Sequence, residues 1–284
     1  MAIFTNQATL SYNGAVVSSN VVTGEIEEAV GITKTALTSG YGAADRLTYV
    51  VSLMNSSFAA FENLTVTDDL GAYVFSEGTL VPLDYVEGSL KYYVNGALQP
   101  SPAVVAGDEL VISGITIPAE GNVLIIYQAD VNEFAPLSDG ASLTNTATVS
   151  GDDIIGEVSD SETVTAESGA SLRITKSLSP NVVTDNSRIQ YTFVIENFGN
   201  TPVVATDNAQ ITDLFDPILS DITVTLDGVS LTIGTGYSYN EATGLFTTVE
   251  SLITVPEATY TQDPVTGQWR VIPGTATLVV TGTV

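Results

Sequence analysis

The sequence predicts an all-β chain: two tandem β-sandwich domains, the second lacking its final strands, behind an N-terminal strand segment. Three observations carry this. Alternation with period 2 runs through the chain, rich in Val, Ile, Thr and Tyr and broken by Gly, Pro, Asn and Asp every 8 to 12 residues or so, while helical periodicity is nowhere convincing. The 284 residues exceed one ordinary domain and suit two of roughly 140. Long stretches also recur at a fixed offset, the mark of a repeat.

Taken in order, residues 1–26 form the leading segment, in which FTNQATL (4–10) and VVSSNVVTG (16–24) read as strands. Phe4, Asn6, Ala8 and Leu10 share one face. The first domain, 27–167, opens with GITKTAL (31–37) and RLTYVVSLMNSS (46–57). NLTVTDDL (63–70) follows, then SLKYYVNGALQP (89–100) with a hairpin turn at Asn95-Gly96, ITIP (115–118) and NVLIIYQADV (122–131). It closes with GASLTNTATVSGDDIIGEVSDSETVTA (140–166), a hairpin of two final strands. The second domain, 168–284, repeats the series. RITKSLS (173–179) and RIQYTFVIENFG (188–199) match at an offset of 142, and AQITDLF (209–215), ITVP (253–256) and TATLVVTGTV (275–284) stay in step. Its closing hairpin is missing. The equivalent stands at the other end of the chain, where FTNQATLSYNG (4–14) matches LTNTATVSGDD (143–153).

Composition removes most chemistries. Without Cys or His there is no thiol nucleophile, imidazole base or ordinary zinc site. Seven Lys plus Arg against 33 Asp plus Glu give a net charge of −26, which argues against nucleic acid and anionic membranes as partners. No run approaches 18 apolar residues and no basic, apolar leader opens the chain, so neither membrane insertion nor a signal peptide is expected. The acidic stretches 151–153 and 159–162 could bind a divalent cation weakly, but they lack EF-hand spacing, so no dedicated metal site and no cofactor is expected, and no paired-carboxylate motif suggests an enzyme.

The pattern ITKT…DRLTYVV…NLTVTDDL…TNTATV resembles the DUF11-type repeat domain of bacterial surface proteins, over nearly the whole chain. That resemblance implies an immunoglobulin-like sandwich from a stalk or fibre, some relatives of which close an isopeptide bond between Lys and Asn. The misplaced final hairpin departs from the family pattern. A sandwich without its last strands exposes apolar surface and an unpaired edge, which an added strand of matching alternation can fill. Donation of residues 3–24 to a neighbouring molecule is head-to-tail and propagates into a filament. The alternatives are a flexible leader, or a boundary within a longer adhesin.

Period 2 also puts three polar residues on apolar faces. Lys34 lies between Ile32 and Ala36, Asp68 between Val66 and Leu70, and Asn145 between Leu143 and Ala147; Lys176, Asp213 and Asn6 are their counterparts. Buried together, they form either an ion pair hydrogen-bonded to Asn or a covalent bridge. In the covalent case a desolvated, neutral lysine attacks the Asn amide while Asp68 or Asp213 shuttles protons. Lys34 and Asn145 would join within domain 1, and Lys176 with Asn6 of a neighbour. Lys91, the third lysine, and Asp69 are expected in solvent, and Asn55 and Asn197 at strand-end turns. The expected function is thus a structural subunit of an extracellular, cell-surface or spore-surface filament, a head-to-tail homopolymer. A stalk or ligand-binding module of an adhesin, gripping an unidentified surface or host ligand, is the alternative.

Overall fold

The computed structural model describes residues 2–26, 29–154 and 156–284, so the expected boundary at residue 27 and the start at Met1 lie outside the described residues. The fold is all-β apart from one short 3-10 turn at Ala205–Asp207. The chain divides into two compact units: Met1–Asn132 with Leu143–Val164, and Glu133–Ser142 with Thr165–Val284.

Four short strands lead unit 1: β1 (Ala2–Asn6), β2 (Thr9–Tyr12), β3 (Ala15–Ser18) and β4 (Val22–Ile26). β1 pairs with β4 and β2 with β3, making one interrupted hairpin. Asn13-Gly14 turns it with both residues at positive φ, 50° and 82°, as a tight hairpin turn requires. Asn6 faces Val22 while Thr9 faces Ser18, so the second arm carries one extra residue between them, a bulge at Asn20–Val21. The sequence reading expects a plain extended strand over 4–10. The break at Gln7-Ala8 is its refinement, pinned where the Ala8 amide bonds the Ser19 hydroxyl at 3.0 Å. Among the described residues these four strands pair only with one another, and Ile3, Phe4, Leu10, Tyr12, Val16, Val17 and Val22 on them are exposed.

The body of unit 1 runs through β5 (Val30–Ala36), β6 (Gly40–Tyr41), β7 (Arg46–Asn55), β8 (Phe61–Asp68), β9 (Tyr73–Phe75), β10 (Gly78–Leu80) and β11 (Leu83–Tyr85). It continues through β12 (Lys91–Val94), β13 (Ala97–Gln99), β14 (Ala103–Ala106), β15 (Leu110–Ile117), β16 (Asn122–Val131), β17 (Ser142–Ser150) and β18 (Val158–Ala166). One sheet has the order β13-β12-β16-β7-β5 and the other β14-β15-β8-β17-β18-β6. The central strands bury alternate residues: Leu47, Tyr49, Val51 and Leu53 on β7 and Val123, Ile125, Tyr127 and Ala129 on β16, against Leu64, Val66, Ile112, Ala147 and Val149 from the second sheet. Each fully buried aliphatic side chain here contributes about 1.5–3 kcal/mol. The closing strand β17 pairs with β8 in the register Ala147↔Asp68 and Val149↔Val66. Asp69 is a correction: expected in solvent, it is half-buried, because its Oδ1 accepts from the Thr146 amide at 2.8 Å and pins β17 to β8.

Unit 2 contains β19 (Leu172–Ser179), β20 (Arg188–Asn197), β21 (Thr212–Leu214), β22 (Ser220–Leu226), β23 (Val229–Leu231), β24 (Tyr237–Asn240), β25 (Leu245–Thr248), β26 (Thr259–Gln262), β27 (Trp269–Ile272) and β28 (Gly274–Thr283). Its larger sheet, β19-β20-β28-β22-β23, repeats β5-β7-β16-β12-β13. The second sheet holds only β21-β25-β24. β21 pairs with β25 on one side, and no described strand lies on the other, where β8 has β17. The effect reaches β19: all eight of its residues are exposed, whereas Val30 and Lys34 on the corresponding β5 are buried.

Asn55 and Asn197 do end strands, but as buried staples. Asn55 Nδ2 donates to the Ala59 and Pro118 carbonyls at 2.7 and 2.9 Å while its Oδ1 accepts from the Ser57 amide at 2.8 Å. Asn197 repeats this with Thr201, Pro256 and Gly199. Asn55→Ala would strand those groups, and we expect it to lower the unfolding free energy by about 2–3 kcal/mol in urea titration. The exposed Lys91→Ala should stay within about 0.5 kcal/mol of the parent.

Candidate functional site

In unit 1 the sandwich interior is crossed by one polar cluster. β5 lies beside β7 in the register Lys34↔Val51, which aims Lys34 inward, and Tyr49 on β7 faces Tyr127 on β16. The Lys34 side chain is 0% exposed, as is that of Asp68 from the opposite sheet, and the two form an ion pair. Tyr127 is the hub. Its hydroxyl donates to Asp68 Oδ2 at 2.6 Å and accepts from Lys34 Nζ at 3.0 Å and from Asn145 Nδ2 at 3.1 Å, using its one proton and both lone pairs. Asp68 Oδ1 takes the Leu70 amide at 3.1 Å. Lys34 Nζ also sits 5.0 Å from the Tyr49 ring centroid and 5.6 Å from that of Tyr127, so aromatic faces stand in for lost water.

The structure therefore brings Lys34, Asp68 and Asn145 together, and adds Tyr127 and Tyr49. Burial holds the Lys34 ammonium below the ordinary lysine value of 10.5, against the opposing pull of Asp68. Burial, reinforced by the charge of Asp68, pushes the Tyr127 phenol well above its ordinary range, so it stays protonated and can donate. Asn145 Oδ1 is buried with no hydrogen-bond partner. A desolvated amine, a carboxylate, a neutral phenol and an amide with an unengaged carbonyl oxygen are the groups that amide exchange needs.

Unit 2 holds the first half of the same cluster. Lys176 on β19 pairs with Asp213 on β21, with its Nζ 4.4 Å from the Tyr191 ring centroid and 5.3 and 5.4 Å from those of Phe193 and Phe215. The Lys176 side chain is 39% exposed. Two members differ. Tyr191 corresponds to Tyr49, but the residue facing it on β28 is Val280, so the hydroxyl of Tyr127 has no counterpart. Asn6 is not part of this cluster; it lies on the exposed hairpin, opposite Val22. Phe4 and Leu10 are exposed there too, with the Phe4 ring laid over Gly24. Beside the cluster, a groove of about 190 Å³ opens among Leu172, Ile174, Ile195, Ala209, Ile211 and Val255. No group of acidic residues among those described is arranged to hold a metal.

No protein-family model and no curated protein matches the chain. Among solved structures, the major pilin SpaD of Corynebacterium diphtheriae aligns over 86% of this chain and 59% of its own at 12% identity, TM-score 0.37. BcpA, the major pilin subunit of Bacillus cereus, aligns over 96% and 73% at 12% identity, TM-score 0.36. The collagen-binding domain of a Staphylococcus aureus adhesin aligns over 50% and 99% at 12% identity, TM-score 0.31. Likenesses of this size carry neither assembly nor binding over to this chain.

The unit 1 cluster makes one stability prediction. Asp68→Ala leaves Lys34 as a buried, uncompensated cation, and the unfolding free energy should fall by about 3–5 kcal/mol at neutral pH. The folded state of that variant favours the neutral amine. Its stability should therefore rise with pH through the window from the depressed Lys34 value up to 10.5, as urea titrations across pH would register.

Proposed function

We propose that the chain is the structural subunit of a bacterial extracellular filament, polymerised head-to-tail by strand donation and locked by Lys-Asn isopeptide bonds within and between subunits. The observation that carries this is the pairing deficit of unit 2: among the described residues β21 has a strand on one side only, β19 is exposed along its length, and an exposed hairpin whose sequence repeats that of β17 sits in the same chain. An open edge beside an apolar groove is costly in water and fit for strand addition. On this reading domain 2, 168–284, is completed by residues 1–26 of the next subunit. The register of β17 on β8, transferred, sets Ala8 against Asp213 and Leu10 against Ile211, and delivers Asn6 to Lys176.

The bond-forming step balances without a cofactor. Neutral Lys34 Nζ attacks Asn145 Cγ; the Nζ–Cγ bond forms, the Cγ–Nδ2 bond breaks and ammonia leaves, carrying the proton that Nζ gives up. Asp68 takes that proton, and the Tyr127 hydroxyl, in contact with both Asp68 Oδ2 and Asn145 Nδ2, relays one to the departing nitrogen. Lys176, Asp213 and Asn6 would repeat this between subunits without the phenol.

Two measurements test the reading. Boiled protein on a denaturing gel should give a ladder that Asn6→Ala abolishes, and intact mass should place the parent monomer one ammonia below its sequence mass. A single band of full mass in both lanes would defeat the covalent part. Tyr127→Phe should slow bridge formation in domain 1 on refolding by roughly tenfold or more while leaving the Asn6-dependent ladder in place. Because the attacking amine must be neutral, the bridging rate should climb with pH and level off below 10.5.

A further inference from the structure

We infer that Tyr12 is the residue that makes the donated hairpin specific, its ring seating beside Ala209 of a second copy of this chain in a hollow that unit 1 does not offer. The inference rests on the strand-donation reading and deepens it. In unit 1, Gly151 follows β17 directly and lies on Leu64; a methyl group added at Gly151 would collide with Leu64 Cδ2. Leu64 is fully buried. A large residue below and none above thus fill the mouth between the sheets.

Both positions change in the repeat, and in opposite senses. Aligning β8 with β21 through Asp68 and Asp213 puts Ala209 where Leu64 stands, and aligning 4–14 with 143–153 puts Tyr12 where Gly151 stands. Large against small becomes small against large. The space vacated at Ala209 is part of the 190 Å³ groove, walled by Ile174, Ile195, Ile211, Ile253 and Val255. A cavity of about 150 Å³ admits a benzene ring, so this one has room for a phenol. Tyr12 is 74% exposed, an aromatic with nothing laid over it. The rim changes with the floor. Arg173 stands where unit 1 has Gly31, and Gln210 where it has Thr65, which adds two donor side chains at the groove, the guanidinium of Arg173 and the amide of Gln210, one of whose N–H groups already goes to the Thr248 carbonyl at 2.8 Å.

The exchange excludes the wrong pairings as well as favouring the right one. The N-terminal hairpin forced into unit 1 would drive the Tyr12 ring into Leu64. The β17–β18 hairpin offered to unit 2 would set Gly151 over Ala209 and leave the hollow empty.

The test uses full-length chains bearing Tyr12→Gly, Ala209→Leu, or both, beside the parent and a chain lacking residues 2–24. Assembly is followed by light scattering and by the boiled-gel ladder, with circular dichroism reporting the fold. Each single variant should weaken association at least about tenfold, and the double variant, which restores the small-over-large pair of unit 1, should recover it. Recovery also answers whether the single variants fold. Single variants that assemble like the parent, while the chain lacking 2–24 does not, would overturn the assignment of Tyr12 and leave strand donation standing. A double variant no better than the worse single would overturn it equally. Parent-like assembly of the chain lacking 2–24 would instead sink strand donation, and this inference with it.

Discussion

The pairing of β17 with β8 is the interaction on which unit 1 depends. That one ladder closes the edge of the second sheet, lays Leu143, Ala147 and Val149 over the core, and carries Asn145 to the ion pair of Lys34 and Asp68. Backbone satisfaction, apolar burial and assembly of the polar cluster cannot be separated here, because the period of the strand ties all three to one register. A slip of one residue would turn Asn145 outward and Thr144 in. Asp69, by accepting from the Thr146 amide, guards the register with a side chain.

Unit 2 shows the same architecture with that ladder removed. The larger sheet keeps its order and its core of Tyr191, Phe193, Leu278 and Val280, since β19, β20 and β28 pair without help from the closing hairpin. What goes is everything the hairpin covers. Lys176 opens to solvent and is held by Asp213 and three aromatic faces, a looser arrangement than the sealed cluster around Tyr127.

Much of this was legible in the residues because strands convert spacing into facing. Lys34, Asp68 and Asn145 declare themselves as polar letters on apolar faces, and the repeat points to Lys176 and Asp213 as the matching pair in unit 2. Tyr127 does not declare itself: a tyrosine among Val, Leu and Ile reads as core, and only the contact with Asp68 across the sandwich makes its hydroxyl visible. Comparing copies offers one hint, since Val280 stands at the matching place. Asp69 misleads for the opposite reason, because alternation assigns a face but is blind to a carboxylate that bends back to a neighbouring strand's amide. The bulge at Asn20–Val21 is likewise silent in the pattern, being set by the bond between Ser19 and Ala8.

The closing hairpin of unit 1 is tethered to β16 by the short stretch 132–141. A tether of that length holds its cargo at an effective concentration in the millimolar range, far above any at which free subunits meet. Closure of unit 1 is therefore a first-order event, independent of protein concentration. On the strand-donation reading, the groove in unit 2 would be filled from another molecule, at a rate that scales with protein concentration. A cleft closed from within its own chain and one filled from another molecule would obey different rate laws, and dilution alone would separate the folding of unit 1 from strand donation into unit 2.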